Sequence, residues 1–237
     1  MRGIKVKLQS ANVESKAERL GPRLASSLGA EEDSRDRFRG NYVPRGTLAD
    51  TEAFFGLLAK WSGALNLTRA ATWEHLWEHH ILGSLELLLW IPARPGIVLL
   101  DIGSGSGFPG IPLAIATDLT VRLAEADRRK GTFLRESLRA TKRAGASVST
   151  ARIEDLPPAG AQIVTARALA PLKKLLGMAA PHLAPDGICL FPKGHGVSSE
   201  LTDAEASWQV SYTVFSSRVM PDSVILRISE LARGASP

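Results

Sequence analysis

Between residues 97 and 206 the chain alternates short apolar runs with longer stretches whose apolar positions recur every three or four residues. Short apolar runs bounded by turn residues read as strands buried on both faces, and the longer period reads as amphipathic helices. The pattern predicts strands over 97–101, 121–125, 147–151, 162–166 and 187–192, and helices over 110–117, 129–144, 171–182 and 198–206. Such alternation folds as a parallel sheet covered on both faces. The pattern then changes. Trp208 to Ser217 and Val224 to Ser229 are β-rich with no comparable helix between them, so an antiparallel hairpin at one sheet edge is expected.

Upstream, Thr47 can cap a helix with Asp50 three residues on, and Phe54, Phe55, Leu57, Leu58, Trp61 and Leu65 form its apolar stripe. A second helix is expected from about Thr72, turning Leu76, His79 or His80, Leu82 and Leu85 toward the core. Pro92 and Pro95-Gly96 then mark a boundary. The organisation expected is an arm over 1–46, a helical cap over 47–95 and an α/β domain over 96–237. The arm carries ten basic and six acidic side chains, with Gly40, Pro44 and Gly46 near its end, and reads as flexible or loosely helical.

Composition adds limits. The 237 residues are 44% apolar and 22% charged, enough for a sizeable core. The single cysteine, Cys189, excludes a disulfide framework and a cysteine-based zinc cluster, and it suits a reducing compartment. No apolar run approaches a membrane span, and the first ten residues lack the apolar stretch of a secretory signal. A cytoplasmic enzyme with no membrane partner is the expectation. The net charge of +5 permits nucleic-acid binding. Its densest part, residues 127–143, holds seven basic and two acidic side chains, from which Arg135 and Arg139 are taken as contacts for an RNA backbone. The ordinary reading of such a run is a solvated helix face.

The chemistry concentrates in Leu100-Asp101-Ile102-Gly103-Ser104-Gly105-Ser106-Gly107-Phe108-Pro109-Gly110, a strand end, a tight loop and a helix start. Alternate glycines let backbone approach a ligand with no Cβ in the way. At the first strand of an open α/β sheet this is where nucleotide-like cofactors bind. Two templates fit. Gly105-x-Gly107-x-x-Gly110, with Glu125 at the end of the second strand, satisfies the dinucleotide fingerprint of an NAD oxidoreductase. Asp101-x-Gly103-x-Gly105-x-Gly107 satisfies the loop of S-adenosylmethionine (SAM) enzymes, with Asp101 placed to meet the methionine ammonium group. The terminal hairpin favours the second template, because class I methyltransferases end their parallel sheet on an antiparallel strand.

Other strand ends converge on the same rim. Glu125 can accept both ribose hydroxyls. Arg152-Ile153-Glu154 follows the third strand, where main chain can read an adenine edge while Ile153 packs on its face. The fourth strand ends in Thr165-Ala166-Arg167-Ala168 and the fifth in Phe191-Pro192-Lys193-Gly194. Cations there suit an anionic partner, and Lys193 is expected to meet a target phosphate.

These residues resemble the bacterial 16S rRNA (guanine-527) N7-methyltransferases of the glucose-inhibited division protein B type, over about Thr47 to Ala206. The resemblance rests on Trp61 with Asn66-Leu67-Thr68, His80-Ile81-Leu82 with Ser84-Leu85, the glycine loop through Leu113, Arg152-x-Glu154, Thr165-Ala166-Arg167-Ala168 and Lys193-Gly194. It implies a class I SAM-dependent methyltransferase with a Rossmann-like, mostly parallel sheet and an N-terminal helical cap. It also implies a 16S rRNA or small-subunit substrate, and maps Gly103, Phe108, Ile153, Glu154 and Arg167 onto SAM-contacting positions. Three positions depart from the family pattern: Gly83 stands where Asp is usual, Ser62 where Asn is usual and Ala126 where Ser is common.

The chemistry agrees with that resemblance. Guanine N7 has a lone pair and no proton to lose, so orientation suffices and no catalytic base is expected; Arg167 and Lys193 remain as rim candidates. Cys189 reads as inert core rather than a nucleophile. His75-Leu76-Trp77-Glu78-His79 matches a zinc-peptidase pattern but lacks a third ligand in context, so no metal is expected. An NAD oxidoreductase and a non-catalytic SAM-sensing rRNA-binding or assembly factor are the competing functions.

Overall fold

The computed structural model describes residues 47–68, 75–92 and 95–234. The arm and the first residues of the second predicted helix lie outside them, as does the side chain of Thr47. Helix α1 covers Thr47–Leu65. The next helical segment, α2, is π-helical over Leu76–Leu82, α-helical over Gly83–Leu85 and 3₁₀ over Glu86–Trp90. The α/β part follows as β1 (Val98–Ile102), α3 (Gly110–Ala116), β2 (Thr120–Ala124), α4 (Arg128–Ala140), β3 (Ala146–Ser149), β4 (Ala161–Thr165), α5 (Leu172–Ala179), β5 (Leu183–Lys193), α6 (Val197–Glu205), β6 (Trp208–Ser216) and β7 (Val224–Arg233).

The sheet order is β3-β2-β1-β4-β5-β7-β6. The first five strands are parallel, while β7 runs antiparallel to both β5 and β6. A dinucleotide-binding sheet ends on a further parallel strand. Here β5 pairs instead with the second strand of the terminal hairpin, which is the arrangement the hydropathy pattern predicts. Predicted elements fall within a few residues of the observed ones. The largest differences are at four ends: β5 begins at Leu183 rather than 187, α4 ends at Ala140 rather than 144, β7 runs on to Arg233 rather than 229, and α5 gives way to a 3₁₀ turn at Ala180–His182, whose second residue is Pro181.

Side chains alternate across a strand, so the sheet sorts its apolar residues into two layers. Leu99, Val121, Leu123, Ile163, Ile188 and Leu190 join one core with α1 to α4. Leu100, Ile102, Val164, Cys189 and Phe191 join the other with α5 and α6. Phe54, Phe55 and Leu58 of α1 are fully buried in the first core, so the cap helices and the sheet share one interior. Trp61 Nε1 also donates to Glu136 Oε2 at 3.1 Å, and Arg143 pairs with Asp50, which ties α1 to α4. In α2 the π-helical winding changes the expected face. Leu76, Trp77, Ile81 and Leu85 are buried, whereas Leu82 is only partly covered, because one π turn brings residue i+5 rather than i+4 beneath residue i.

Close approach of α3 to the sheet requires Gly110. A Cβ there would lie 2.3 Å from Leu123 Cδ2 and 2.9 Å from Asp101 Oδ2. Gly110→Ala gains at most ~1 kcal/mol of helix propensity against about 1–3 kcal/mol of overpacking. A net loss of stability in urea denaturation is therefore expected; an unchanged or raised midpoint contradicts this packing.

Candidate functional site

The carboxyl ends of β1, β2 and β4 meet at one edge of the sheet, where the glycine loop turns back on itself. The amides of Gly103 and Ser104 donate to Ala124 O at 2.8 and 3.1 Å, and Gly107 N donates to Ser104 O at 2.6 Å. Gly103 has φ +66° and Gly105 φ +52°, a region that favours glycine. Glu125 completes the turn. Its Oε2 accepts Gly105 N at 2.7 Å and its Oε1 accepts Asp127 N at 2.8 Å. Each carboxylate oxygen retains further acceptor capacity, and Glu125 lines the cleft beside the loop.

This cleft has a volume of about 490 Å³. Gly103, Gly105, Phe108, Glu125, Ile153, Glu154 and Arg167, all expected at a cofactor site, line it. Ile153 is buried, and its carbonyl accepts a bond from His182 Nε2 at 3.1 Å, so a buried histidine fixes the turn after β3. Glu154 is exposed and stands 3.6 Å from Arg152.

Two expected residues lie elsewhere. Asp101 does not line the cleft. Fully buried beneath the loop, it accepts the Thr165 hydroxyl at 2.9 Å and thereby ties β1 to β4. Burial pushes its carboxyl up to about 7, with hydrogen bonding pulling against that rise. Gly107 is buried too. A Cβ there would meet Ile111 at 2.7 Å and Phe54 at 3.2 Å, so it lets the loop close onto the cap.

Sequence reasoning missed His80, Asn66 and Leu67 as wall residues of the cleft, although all three lie in the motifs that carry the resemblance. His80 packs against Phe108 in a tilted arrangement with ring centroids 4.7 Å apart. Burial first, then the charges of Arg167, His75 and His79, hold its pKa down at about 4, so the ring is neutral near pH 7. His75 and His79 stack on one another at 4.2 Å. Among the described residues no group of three or more His, Cys, Asp or Glu is placed to hold a metal.

Arg167 lies between this cleft and a second cavity of about 670 Å³, and lines both together with Ala168 and Leu169. It is mostly buried, which pulls its pKa down, and no carboxylate of the described residues pairs with it. A desolvated guanidinium open to two cavities demands acceptors. Leu169 covers the glycine loop closely, its Cδ1 lying 2.4 Å from where a Gly103 Cβ would stand.

Lys193 differs from expectation. Its Nζ donates to Glu200 Oε2 at 2.7 Å, and that oxygen also accepts Leu172 N at 2.7 Å. Lys193 lines the second cavity, but its charge is spent inside the protein. On α4, Arg139 is exposed, whereas exposed Arg135 donates to Thr150 Oγ1 across to the end of β3. Gly83, the departure from the family pattern, leaves room for Met220, which would stand 3.3 Å from a Cβ there and lines the second cavity.

The features fit SAM: an acid beside a glycine turn, an apolar residue at the third strand end and an unpaired cation. Removing the carboxylate leaves the amides of Gly105 and Asp127 without their acceptor and frees the loop that lines the cleft. Glu125→Ala is expected to weaken SAM binding by about 1–3 kcal/mol. Calorimetry showing unchanged affinity removes Glu125 from the site.

Comparison with known proteins agrees. A family model described as rRNA small subunit methyltransferase G matches residues 47–222. The chain is 45% identical over 195 residues to the ribosomal RNA small subunit methyltransferase G of Cereibacter sphaeroides, covering 80% of this chain and 94% of that one. It is 45% identical over 191 residues to the enzyme of the same name from Gluconobacter oxydans, covering 81% and 97%. The fold also resembles a ribosomal protein L11 methylase from Lactobacillus delbrueckii, with TM-score 0.52, 18% identity and coverage of 64% and 78%. The chain belongs to the rRNA small subunit methyltransferase G family.

Proposed function

We propose that this chain is a cytoplasmic enzyme that methylates N7 of guanine-527 in the 16S rRNA of the small ribosomal subunit, with SAM as donor. Family membership supports the methyltransferase reaction and its ribosomal RNA class. The observation that carries the choice of atom is Arg167, which lines both a cofactor-sized cleft and a second cavity, while the candidate bases His80, Glu125 and Cys189 are poor bases at neutral pH. His80 is held neutral with a pKa near 4. Glu125 is occupied by backbone amides. The Cys189 thiol is buried in the sheet and pushed far up.

Gly103, Gly105, Phe108, Glu125, Ile153 and Glu154 would hold SAM, which supplies an electrophilic methyl on a sulfonium centre. Arginine stays protonated and can orient but not deprotonate. Arg167 would therefore hold acceptor atoms of the target base while the walls of the cleft exclude water. In-line placement supplies the catalysis when the attacking nitrogen carries no proton.

Single-turnover methylation is expected to show no ascending limb between about pH 6 and about pH 9 from any residue lining the cleft. Asp101 titrates near 7 without reaching the cleft, so Asp101→Asn is measured alongside. A limb that persists in that variant and vanishes in His80→Asn assigns a base to His80 and moves the target atom away from N7.

Arg135 and Arg139 would contact RNA phosphates, with the exposed basic face of α4 as the docking surface. Reversing both to Glu is expected to weaken rRNA binding and lower the slope of log affinity against log salt by about one to two, while SAM binding stays intact. Retention of both the affinity and the slope leaves α4 a solvated helix.

A further inference from the structure

The second cavity has walls of opposite hydrogen-bonding character. Arg167, a group that only donates, lines this cavity as well as the cofactor cleft. The wall also carries Glu200, a half-buried carboxylate that only accepts. Its two oxygens are used unequally. Oε2 takes both Lys193 Nζ and Leu172 N at 2.7 Å, which leaves Oε1 outside the hydrogen bonds that Glu200 makes among the described residues. The two anchors, Lys193 Nζ and Leu172 N, fix the orientation of the carboxylate. Leu169, Pro171 and Met220 add apolar surface to the same lining.

Guanine is the nucleobase whose edges match that polarity. O6 and N7 accept on one edge, while N1–H and the N2 amine donate on the other. Adenine places an amine where O6 would stand and has no N2 donor, so it opposes Arg167 and leaves Glu200 unmet. A base lifted out of its stack into such a cavity is read on its polar edges and sandwiched by apolar side chains. Only one orientation of guanine satisfies both poles. It turns O6 toward Arg167, leaves the N7 lone pair free to face the cofactor cleft, and turns N2, the atom farthest across the ring from N7, toward Glu200.

We infer that Glu200 selects guanine, its Oε1 accepting the N2 amine of the target base while Lys193 and Leu172 N hold its Oε2. The inference rests on the methyl-transfer reading above and adds a specificity-determining residue to it. Lys193, read from the sequence as a substrate contact, becomes the residue that orients Glu200.

Glu200→Gln is the sharpest test. The amide oxygen can keep the anchors of Oε2, while its NH₂ group replaces the acceptor by a donor facing the N2 amine. Full-length wild type and variant are compared on reconstituted small subunits carrying guanosine or inosine at the target position, with labelled methyl as the readout. Inosine differs from guanosine only by loss of the N2 amine. Wild type is expected to lose about tenfold or more in kcat/KM on inosine, the range for a hydrogen bond to a charged group. Glu200→Gln is expected to lose a similar factor on guanosine and to treat the two substrates within about threefold. Its SAM affinity is expected to match wild type, while loss of the ion pair with Lys193 lowers its melting temperature. Glu200→Asp, which keeps the charge but withdraws it from the cavity, should give an intermediate ratio and serves if the amide folds poorly. A guanosine-to-inosine ratio unchanged by both substitutions overturns the inference alone. Wild type that places no methyl on guanosine N7 overturns the proposed function with it.

Discussion

The carboxylate of Glu125 bridges two stretches of backbone, the glycine loop at Gly105 and the entry to α4 at Asp127. The Gly105 amide is a main-chain donor in a half-buried setting, where a missing acceptor costs about 1–3 kcal/mol, whereas Asp127 is exposed. The cleft depends on that bridge. With the loop held against the end of β2, Gly103 and Phe108 form one wall, and the turn around Ile153 and Glu154 belongs to another. Asp127 continues the restraint, its side chain accepting Arg129 N and Lys130 N at 2.7 and 3.1 Å to start α4.

The cap helices matter to the site as well as to the core. α1 buries Phe54 against Phe108, with ring centroids 5.4 Å apart, and α2 places His80 on the same ring. Phe108 is thus packed by the cap while it faces the cleft. Farther along α2, Glu86 is fully buried and accepts Ser217 Oγ and Arg218 N at 2.6 Å each. Burial raises its pKa against those bonds. This contact anchors the turn between β6 and β7, which brings Met220 and Ser223 to the second cavity. One helical segment therefore reaches both cavities through different residues.

Charge is used unevenly along the rim. Lys193 and Glu200 neutralise each other, as do Arg143 and Asp50 between α4 and the cap. Arg167 has no such partner among the described residues. Retaining an unpaired, mostly buried guanidinium is costly for a fold, which argues that its partner arrives with a ligand.

The alternation of apolar runs and helical periods was enough to determine the order of strands and helices, the parallel sheet and the antiparallel hairpin, because local periodicity follows from which faces must be buried. The motifs at the strand ends identified Gly103, Gly105, Phe108, Glu125, Ile153, Glu154 and Arg167 as neighbours of one cleft, since in a parallel sheet those ends share an edge. Tertiary structure alone decided what each polar group meets. Asp101 and Lys193 stand at strand ends like Glu125 and Arg167, yet Thr165 and Glu200 absorb them. The π-helical start of α2 moved its buried face and set His80 on Phe108. Hydrogen bonds between residues far apart in the chain depend on distances that no local pattern encodes, and those bonds separate the polar groups left for ligands from the ones that hold the fold.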